Sequence, residues 1–318
     1  MLAALTWDID PILIHLGPLQ IRYYGLCFAA SIYFGFYLWQ RTAHRWGHTL
    51  EFSEDCLWYA VIAIVGGARL GHCFFYEPSR YLANPIEILY FWKGGLASHG
   101  ATVGLFIAVY LFARKKKVTF RRVADMMAPA IAIAAGGVRV GNFFNSEIVG
   151  RPWDGPWAII FARHDRMLNI PSVPRHPTAF YEVLMGAATF AILWLIARRD
   201  IRRAGSGLIA GTFLVVYFSF RFLVEFFKEY QVEEFIDRAG KLAAGADQGT
   251  QLTMGQYLSV VPVLIGVLMI VMALRTPKDA IDDPLRALPM PATTTTTTTG
   301  PAKTAPASAA KQRGGRRK

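Results

Sequence analysis

GGVRVGNFFNSEIVGR, residues 136–151, closes a long apolar segment that begins near residue 123. If that segment lies in a lipid bilayer, Arg139 and Asn142 fall inside the span, while Glu147 and Arg151 stand just beyond it. An ionisable side chain at bilayer depth costs at least ~2.5 kcal/mol, so it needs a partner or a task. Arg69 and Arg221 are placed similarly in two other apolar segments. One such arginine is an anomaly; three form a pattern.

The rest of the chain supports the bilayer reading. Of 318 residues, 53% are hydrophobic and only 18% charged, with a mean hydropathy of +0.31. These values suit a polytopic membrane protein. The three cysteines, Cys27, Cys56 and Cys73, lie in apolar segments without paired spacing, which argues against a disulfide framework or a zinc site. No histidine pair has metal-ligand spacing, so neither a metal nor a cofactor is expected. The N-terminus lacks the basic region and small-residue cleavage site of a signal peptide, so the first apolar span is expected to be retained. The formal charge of +12 invites a nucleic-acid reading. Its distribution in short loops and a terminal tail points instead to membrane orientation.

A spanning helix needs about 20 mostly apolar residues. Seven segments qualify, near 20–40, 57–76, 96–113, 123–145, 178–197, 207–227 and 256–274, giving an all-α polytopic architecture. The connections after the first, third, fifth and seventh are rich in lysine and arginine; Arg114, Lys115, Lys116 and Lys117 are one example. The positive-inside rule then puts the N-terminus outside and the C-terminus in the cytoplasm. Residues 146–177 are too polar and proline-rich to span and read as a small extracytoplasmic lobe; 228–255 form a second outer excursion. The membrane-embedded domain is therefore 1–275. The basic tail, 276–318, with its seven consecutive threonines, is expected to be disordered.

GGARLGHCFF (66–75) repeats the glycine, arginine and phenylalanine positions of GGVRVGNFFN (136–145) in parallel orientation. Glycines of this kind can serve merely to let helices approach, a reading that leaves the arginines unexplained. In the predicted topology Arg69, Arg139 and Arg221 fall in the outer halves of their spans. Tyr24, His99, Arg175, His176, Tyr181 and Glu182 lie at the same depth, and the inner halves carry few ionisable groups. Guanidinium groups at a headgroup boundary suit a lipid phosphate. The plainer alternative is structural ion pairing, Arg139 with Glu147 and Arg221 with Glu225. His99, in GGLASHGA (94–101), can exchange a proton near neutral pH and so activate a thiol or hydroxyl, or else be a packing residue. His72 reads as packing, and His44, His48 and His164 as solvated. Asn142 and Asn145 follow Arg139 at helical spacing and share its face. Glu147 is placed to orient an arginine, and Gly150 to admit a substrate close to the backbone.

Together these motifs resemble those of the prolipoprotein diacylglyceryl transferase family, across about residues 8–275. The signature at 136–151, the histidine motif GGLASHGA, and the segments IRYYG, RHPTAFYE, YFSFRFLVEFF and LTMGQ stand in the family's order. Departures are Ser146 where glycine is usual, Val149 for tryptophan, Ala101 for glycine, and Thr178, Ala179 and Phe180 for Ser-Gln-Leu. The resemblance implies transfer of a diacylglyceryl group from phosphatidylglycerol to the lipobox cysteine of prolipoprotein signal peptides. It would take place at the bacterial inner membrane, among membrane lipids, with the site facing outward. It implies His99 as base, Arg139 and Arg221 as phosphate clamps, and Tyr24, Asn142 and Glu147 as further catalytic positions. Gly150, Tyr217 and Glu225 would help bind substrate, with Arg69 added by its depth. An anion or anionic-lipid transporter is the alternative, though the parallel echo and apolar inner halves disfavour it. A non-catalytic lipid-binding scaffold would leave His99 idle.

Overall fold

The computed structural model describes residues 4–17, 19–90, 94, 95, 97–199, 205–229 and 252–277. The threonine-rich tail and most of the 228–255 excursion lie outside these residues. Helices dominate: α1 (Tyr23–Arg45), α2 (Leu50–Phe75), α3 (Pro78–Ala83), α4 (Ser98–Lys115), α5 (Phe120–Phe144), α6 (Ala162–Met167), α7 (Thr178–Arg199), α8 (Leu208–Glu225) and α9 (Met254–Arg275). Five of them, α2, α5, α7, α8 and α9, are long and apolar enough to cross a membrane. The α1 and α4 helices are comparable in length, but Gln40, Arg41 and Arg45 dilute the first. Ser98, His99, Arg114 and Lys115 do the same to α4. The chain is a multi-pass membrane protein.

Local sequence sets the helix ends. Thr49 and Thr119 accept hydrogen bonds from Phe52 N and Arg122 N, each satisfying one amide that a helix start leaves open. Thr253 and Gln256 form a reciprocal capping box on α9: Gln256 N donates to Thr253 Oγ1 (3.2 Å) and Thr253 N to Gln256 Oε1 (2.8 Å). Basic residues fill the last turns of α1, α4, α7 and α9, where they also favour the negative end of the helix dipole.

Small residues pack the helices. GARLG on α2 (67–71) faces GATVG on α4 (100–104) so closely that a Cβ on Gly71 would lie 2.8 Å from Gly100 Cα. Gly136 meets Gly186 of α7, and Gly137 meets Ser31 of α1. The glycines of the internal echo therefore serve helix approach. At the end carrying the basic turns, Trp39, Phe52, Phe112, Val123, Met126 and Leu193 form the main apolar core. Buried Asp125 there accepts the backbone amides of Gly205, Gly207 and Ala210 at 2.7–2.9 Å, capping α8 from a neighbouring helix. Many large apolar side chains of α9 stay exposed, as a lipid-facing helix requires; Leu264 is 63% exposed.

The mostly helical structure agrees with the all-α expectation, and short strands accompany the helices. Among the described residues there are five short strands: β1 (Leu5–Trp7), β2 (Ile12–Leu16), β3 (Leu19–Arg22), β4 (Ile159–Phe161) and β5 (Pro174–Arg175). β2 and β3 form a hairpin, while β1 joins β4 in parallel and β4 joins β5 antiparallel. The 146–177 lobe is thus a small sheet that borrows its first strand from the N-terminus. It sits on the end of α5, where Trp7 packs on Phe143 with ring centroids 4.3 Å apart, above Val149 and Phe161.

Candidate active site

The opening motif ends α5 in a defined turn. Glu147 N donates to Asn142 O and Ser146 N to Phe143 O, both at 3.0 Å, with Ser146 at φ 55°. This is the paired bonding of a Schellman stop, whose left-handed position normally falls to glycine. Ile148 is also left-handed, at φ 54°, a strained conformation for a β-branched residue that costs on the order of 1–3 kcal/mol. Glu147 is therefore held between two left-handed residues and turned back along the helix end.

From Glu147 a polar chain runs through the protein. Asn145 Nδ2 donates to Glu147 Oε1 and Asn142 Nδ2 to Glu147 Oε2, each at 3.0 Å. Asn142 Oδ1 accepts from an Arg139 terminal nitrogen at 3.1 Å. The amide of Asn142 has only one consistent orientation, because arginine only donates and the carboxylate only accepts. Arg139 Nε lies 3.1 Å from Glu182 Oε2, an ion pair whose N–H is not aimed well enough to count as a hydrogen bond. Glu182, with no solvent exposure, accepts from Lys228 Nζ at 2.8 Å through its other oxygen. Lys228 Nζ also approaches Glu225 Oε2 at 3.2 Å, and Thr253 Oγ1 donates to Glu225 Oε1 at 3.2 Å. The chain thus ties α5, α7, the end of α8 and the start of α9.

Arg221 stands apart from that chain in one respect. It is half-buried and makes no hydrogen bond or ion pair among the described residues. Buried Tyr217, one turn earlier on α8, senses the charges of Arg139, Glu182 and Arg221, which places all four in one neighbourhood. Tyr24 joins from α1: Gly141 packs against it so tightly that a Cβ would fall 2.9 Å from its ring. The arrangement offers a partnered guanidinium and an unpartnered one flanking a buried phenol.

Several expectations are revised. Arg139 pairs with Glu182 rather than Glu147, and Glu225 with Lys228 rather than Arg221. Arg69 is not part of this network. Its guanidinium donates to the carbonyls of Ile88, Gly94, Gly95 and Glu87 and lies over the Tyr81 ring, holding these four backbone groups onto α2. Four carbonyls take up its donors and leave it 5% exposed. The close approach at Gly150 is to the chain's own backbone. Gly150 N donates to His176 O and Arg151 N to Phe227 O, and a Cβ would collide with His176 and lie 2.8 Å from Phe227 O. His164 is not solvated but bonds Asp165 at 3.1 Å, beside Arg175, which is buried between Asp165 and Glu229. His48 stacks on Phe52 and meets Arg122 Nε at 3.3 Å; burial, then that guanidinium, pushes its imidazole down to about 4. Burial, then Arg151, likewise holds the His176 imidazole below its usual value.

His99 occupies the first turn of α4, exposed, with no hydrogen bond or ion pair among the described residues. It opens on an apolar groove of about 750 Å³ between α2 and α4, lined by Leu70, Phe74, Val103 and Ile107 among others. No side-chain contact joins it to the Arg139 chain. Glu182, which the sequence placed at the depth of the site without a role, and Lys228, which it did not single out, are the residues that hold Arg139 in place. RHPTAFYE carried the first as its final residue, whereas Lys228 follows its span without a motif of its own.

The signature geometry coincides with a family match. The profile of the family described as prolipoprotein diacylglyceryl transferase covers residues 11–272. The chain belongs to that family. It is 39% identical over 274 residues to the phosphatidylglycerol–prolipoprotein diacylglyceryl transferase of Bordetella bronchiseptica, covering 85% of this chain and 97% of the relative. It is 38% identical over 270 residues to that of Tolumonas auensis (85% and 97%). To that of Chloroherpeton thalassium it is 41% identical over 267 residues (83% and 92%). Near-complete coverage of the relatives puts every member of the polar chain from Arg139 to Thr253 within the family region.

Proposed function

We propose that the protein transfers the diacylglyceryl group of phosphatidylglycerol to the lipobox cysteine of prolipoproteins. The observation that carries the proposal is Arg139 fixed by Glu182 and Asn142 beside an unpartnered Arg221, within a family whose relatives bear that activity in their names. Seven spans cross the bacterial cytoplasmic membrane, N-terminus outside and C-terminus inside. The lobe and the Arg139 chain then face the extracytoplasmic side.

In the reaction the substrate thiolate attacks the diacylglycerol carbon that bears the phosphate. A C–S bond forms, the C–O bond breaks, and glycerol phosphate leaves with the bonding electron pair. Arg139 and Arg221 grip the phosphate and stabilise the charge it gains as the bond breaks. Among the described residues no partner takes up the donors of Arg221, which leaves them for this. Asn142 and Glu147 fix Arg139 and the helix end, and Glu182 and Lys228 lock its other side. Tyr217, Tyr24 and Glu225 line and support the same place. His99, on the groove between α2 and α4, is the candidate to take the thiol proton, since the thiolate is the nucleophile. Phosphatidylglycerol and the signal peptide are the partners, both delivered by the membrane.

Release of water-soluble glycerol phosphate tests the proposal. Vesicles containing the protein and phosphatidylglycerol should release it when a lipobox peptide is added. Replacing the peptide cysteine by serine should abolish release. Equal release with either peptide would mean hydrolysis rather than transfer and would defeat the proposal.

A further inference from the structure

A second cavity adjoins the polar chain on the lobe side. It measures about 470 Å³, within the roughly 300–1,000 Å³ range of small-molecule sites, and is lined by Arg22, Asn145, Ser146, Glu147 and Arg163 among others. Two buried polar atoms at its wall lack partners, Ser146 Oγ and Asn145 Oδ1, and the Ser146 residue is only 4% exposed. Such orphaned groups are costly to bury unless something binds them. Arg163 makes no hydrogen bond or ion pair among the described residues, because nearby Asp8 pairs with Arg166 instead. Among the described residues the Arg22 side chain donates only a 3.3 Å bond to Gln20.

We propose that this cavity binds the glycerol phosphate group, resting on the function proposed above. Its chemistry has two ends. The guanidinium groups of Arg22 and Arg163 suit the phosphate. Asn145 Oδ1, Ser146 Oγ and the remaining lone pairs of Glu147 are acceptors for the glycerol hydroxyls. Inorganic phosphate carries its charge and its P–OH groups on one small ion, so any P–OH it offers to Glu147 brings the phosphate charge up against that carboxylate. A polyol phosphate satisfies both ends. Glu147, shared between the cavity and the Arg139 chain, puts the cavity beside the site where glycerol phosphate is set free.

Calorimetric titration of the full-length protein in detergent tests this without turnover, using racemic glycerol phosphate and inorganic phosphate as probes. Glycerol phosphate should bind wild type at least fivefold more tightly than inorganic phosphate. Arg163→Gln and Arg22→Gln should each weaken it at least fivefold. Arg80→Gln, an exposed arginine that pairs with Glu77 and Glu87 and does not line the cavity, should leave it unchanged. Undiminished binding by Arg163→Gln, or equal affinity for the two probes, would overturn the assignment. Turnover assays then tell the source. If Arg163→Gln raises the inhibition constant of added glycerol phosphate while KM for phosphatidylglycerol stays within twofold, the cavity holds the released product. If KM rises in parallel, it holds the lipid headgroup. Absence of transfer by wild type would defeat the proposed function and leave the titration to decide the cavity.

Discussion

Replacing Glu182 by glutamine should show that the polar chain, rather than helix packing alone, holds Arg139. Glu182 has no exposure and bridges Arg139 at 3.1 Å and Lys228 at 2.8 Å. Glu182→Gln keeps the shape and leaves two cations facing a neutral amide. Removing one partner of a buried ion pair costs roughly 3–5 kcal/mol. Lys228 keeps Glu225 at 3.2 Å and Arg139 keeps Asn142, so the lower figure applies. For a body of this size about 3 kcal/mol lowers Tm by roughly 6–12 °C. The double variant Glu182→Gln/Lys228→Met removes the orphaned ammonium as well. It should recover at least ~1 kcal/mol relative to the sum of the single changes, as coupled neighbours do. Thermal unfolding in detergent, followed by tryptophan fluorescence, measures all three variants. Activity of the single variant should fall about a hundredfold as Arg139 loses its orientation. A Tm within 2 °C of wild type, or strict additivity in the double variant, would refute the reasoning.

Arg139→Lys should remain folded, with Tm near wild type, yet lose at least about a hundredfold in activity, because an ammonium cannot span Asn142, Glu182 and a phosphate at once; near-wild-type turnover would exclude the clamp role. Ser146→Gly should raise stability by about 0.4–1 kcal/mol, since glycine adopts the left-handed stop without strain, and a lowered Tm would contradict the Schellman reading. The His48 imidazole is depressed from 6.5 to about 4 in the fold, so its contribution to stability is complete above pH 6.5 and is lost as pH falls towards 4. Tm measured across that window should fall, and His48→Gln should flatten the slope; an unchanged slope would assign it to other groups. Gly150→Ala should unfold the lobe or lower Tm sharply, because the new Cβ displaces the His176 and Phe227 backbones; a variant with unchanged Tm would show that the three segments are not in contact.

What the sequence made legible follows from distance along the chain. Arg139, Asn142, Asn145 and Glu147 are neighbours on one helix end, so spacing alone brings them together, and the structure joins them by hydrogen bonds. The glycine pattern likewise reads directly as helix approach. Depth in a span proved a poorer guide to company. Arg69 has the same predicted depth as Arg139, but the carbonyls of Glu87, Ile88, Gly94 and Gly95 take its donors. The Glu182–Lys228 pair joins residues 46 apart, and nothing local in FFKEY announces it. Strands β1 and β4 are three residues each, one near the N-terminus and the other in the lobe, too short for alternation to register. The solvated reading of His48 and His164 failed for a related reason: both sit in polar sequence, and Arg122 and Glu229, far along the chain, add to the local contacts that partly cover them.

The central claim is that a thiol displaces glycerol phosphate from phosphatidylglycerol at Arg139 and Arg221. Mass spectrometry of a lipobox peptide after incubation with the protein and phosphatidylglycerol tests it most directly. The account predicts a peptide heavier by one diacylglyceryl group on its cysteine, formed by wild type and lost with Arg139→Lys or Arg221→Lys. An unmodified peptide with wild-type protein, under conditions where the Bordetella bronchiseptica relative modifies it, would contradict the account.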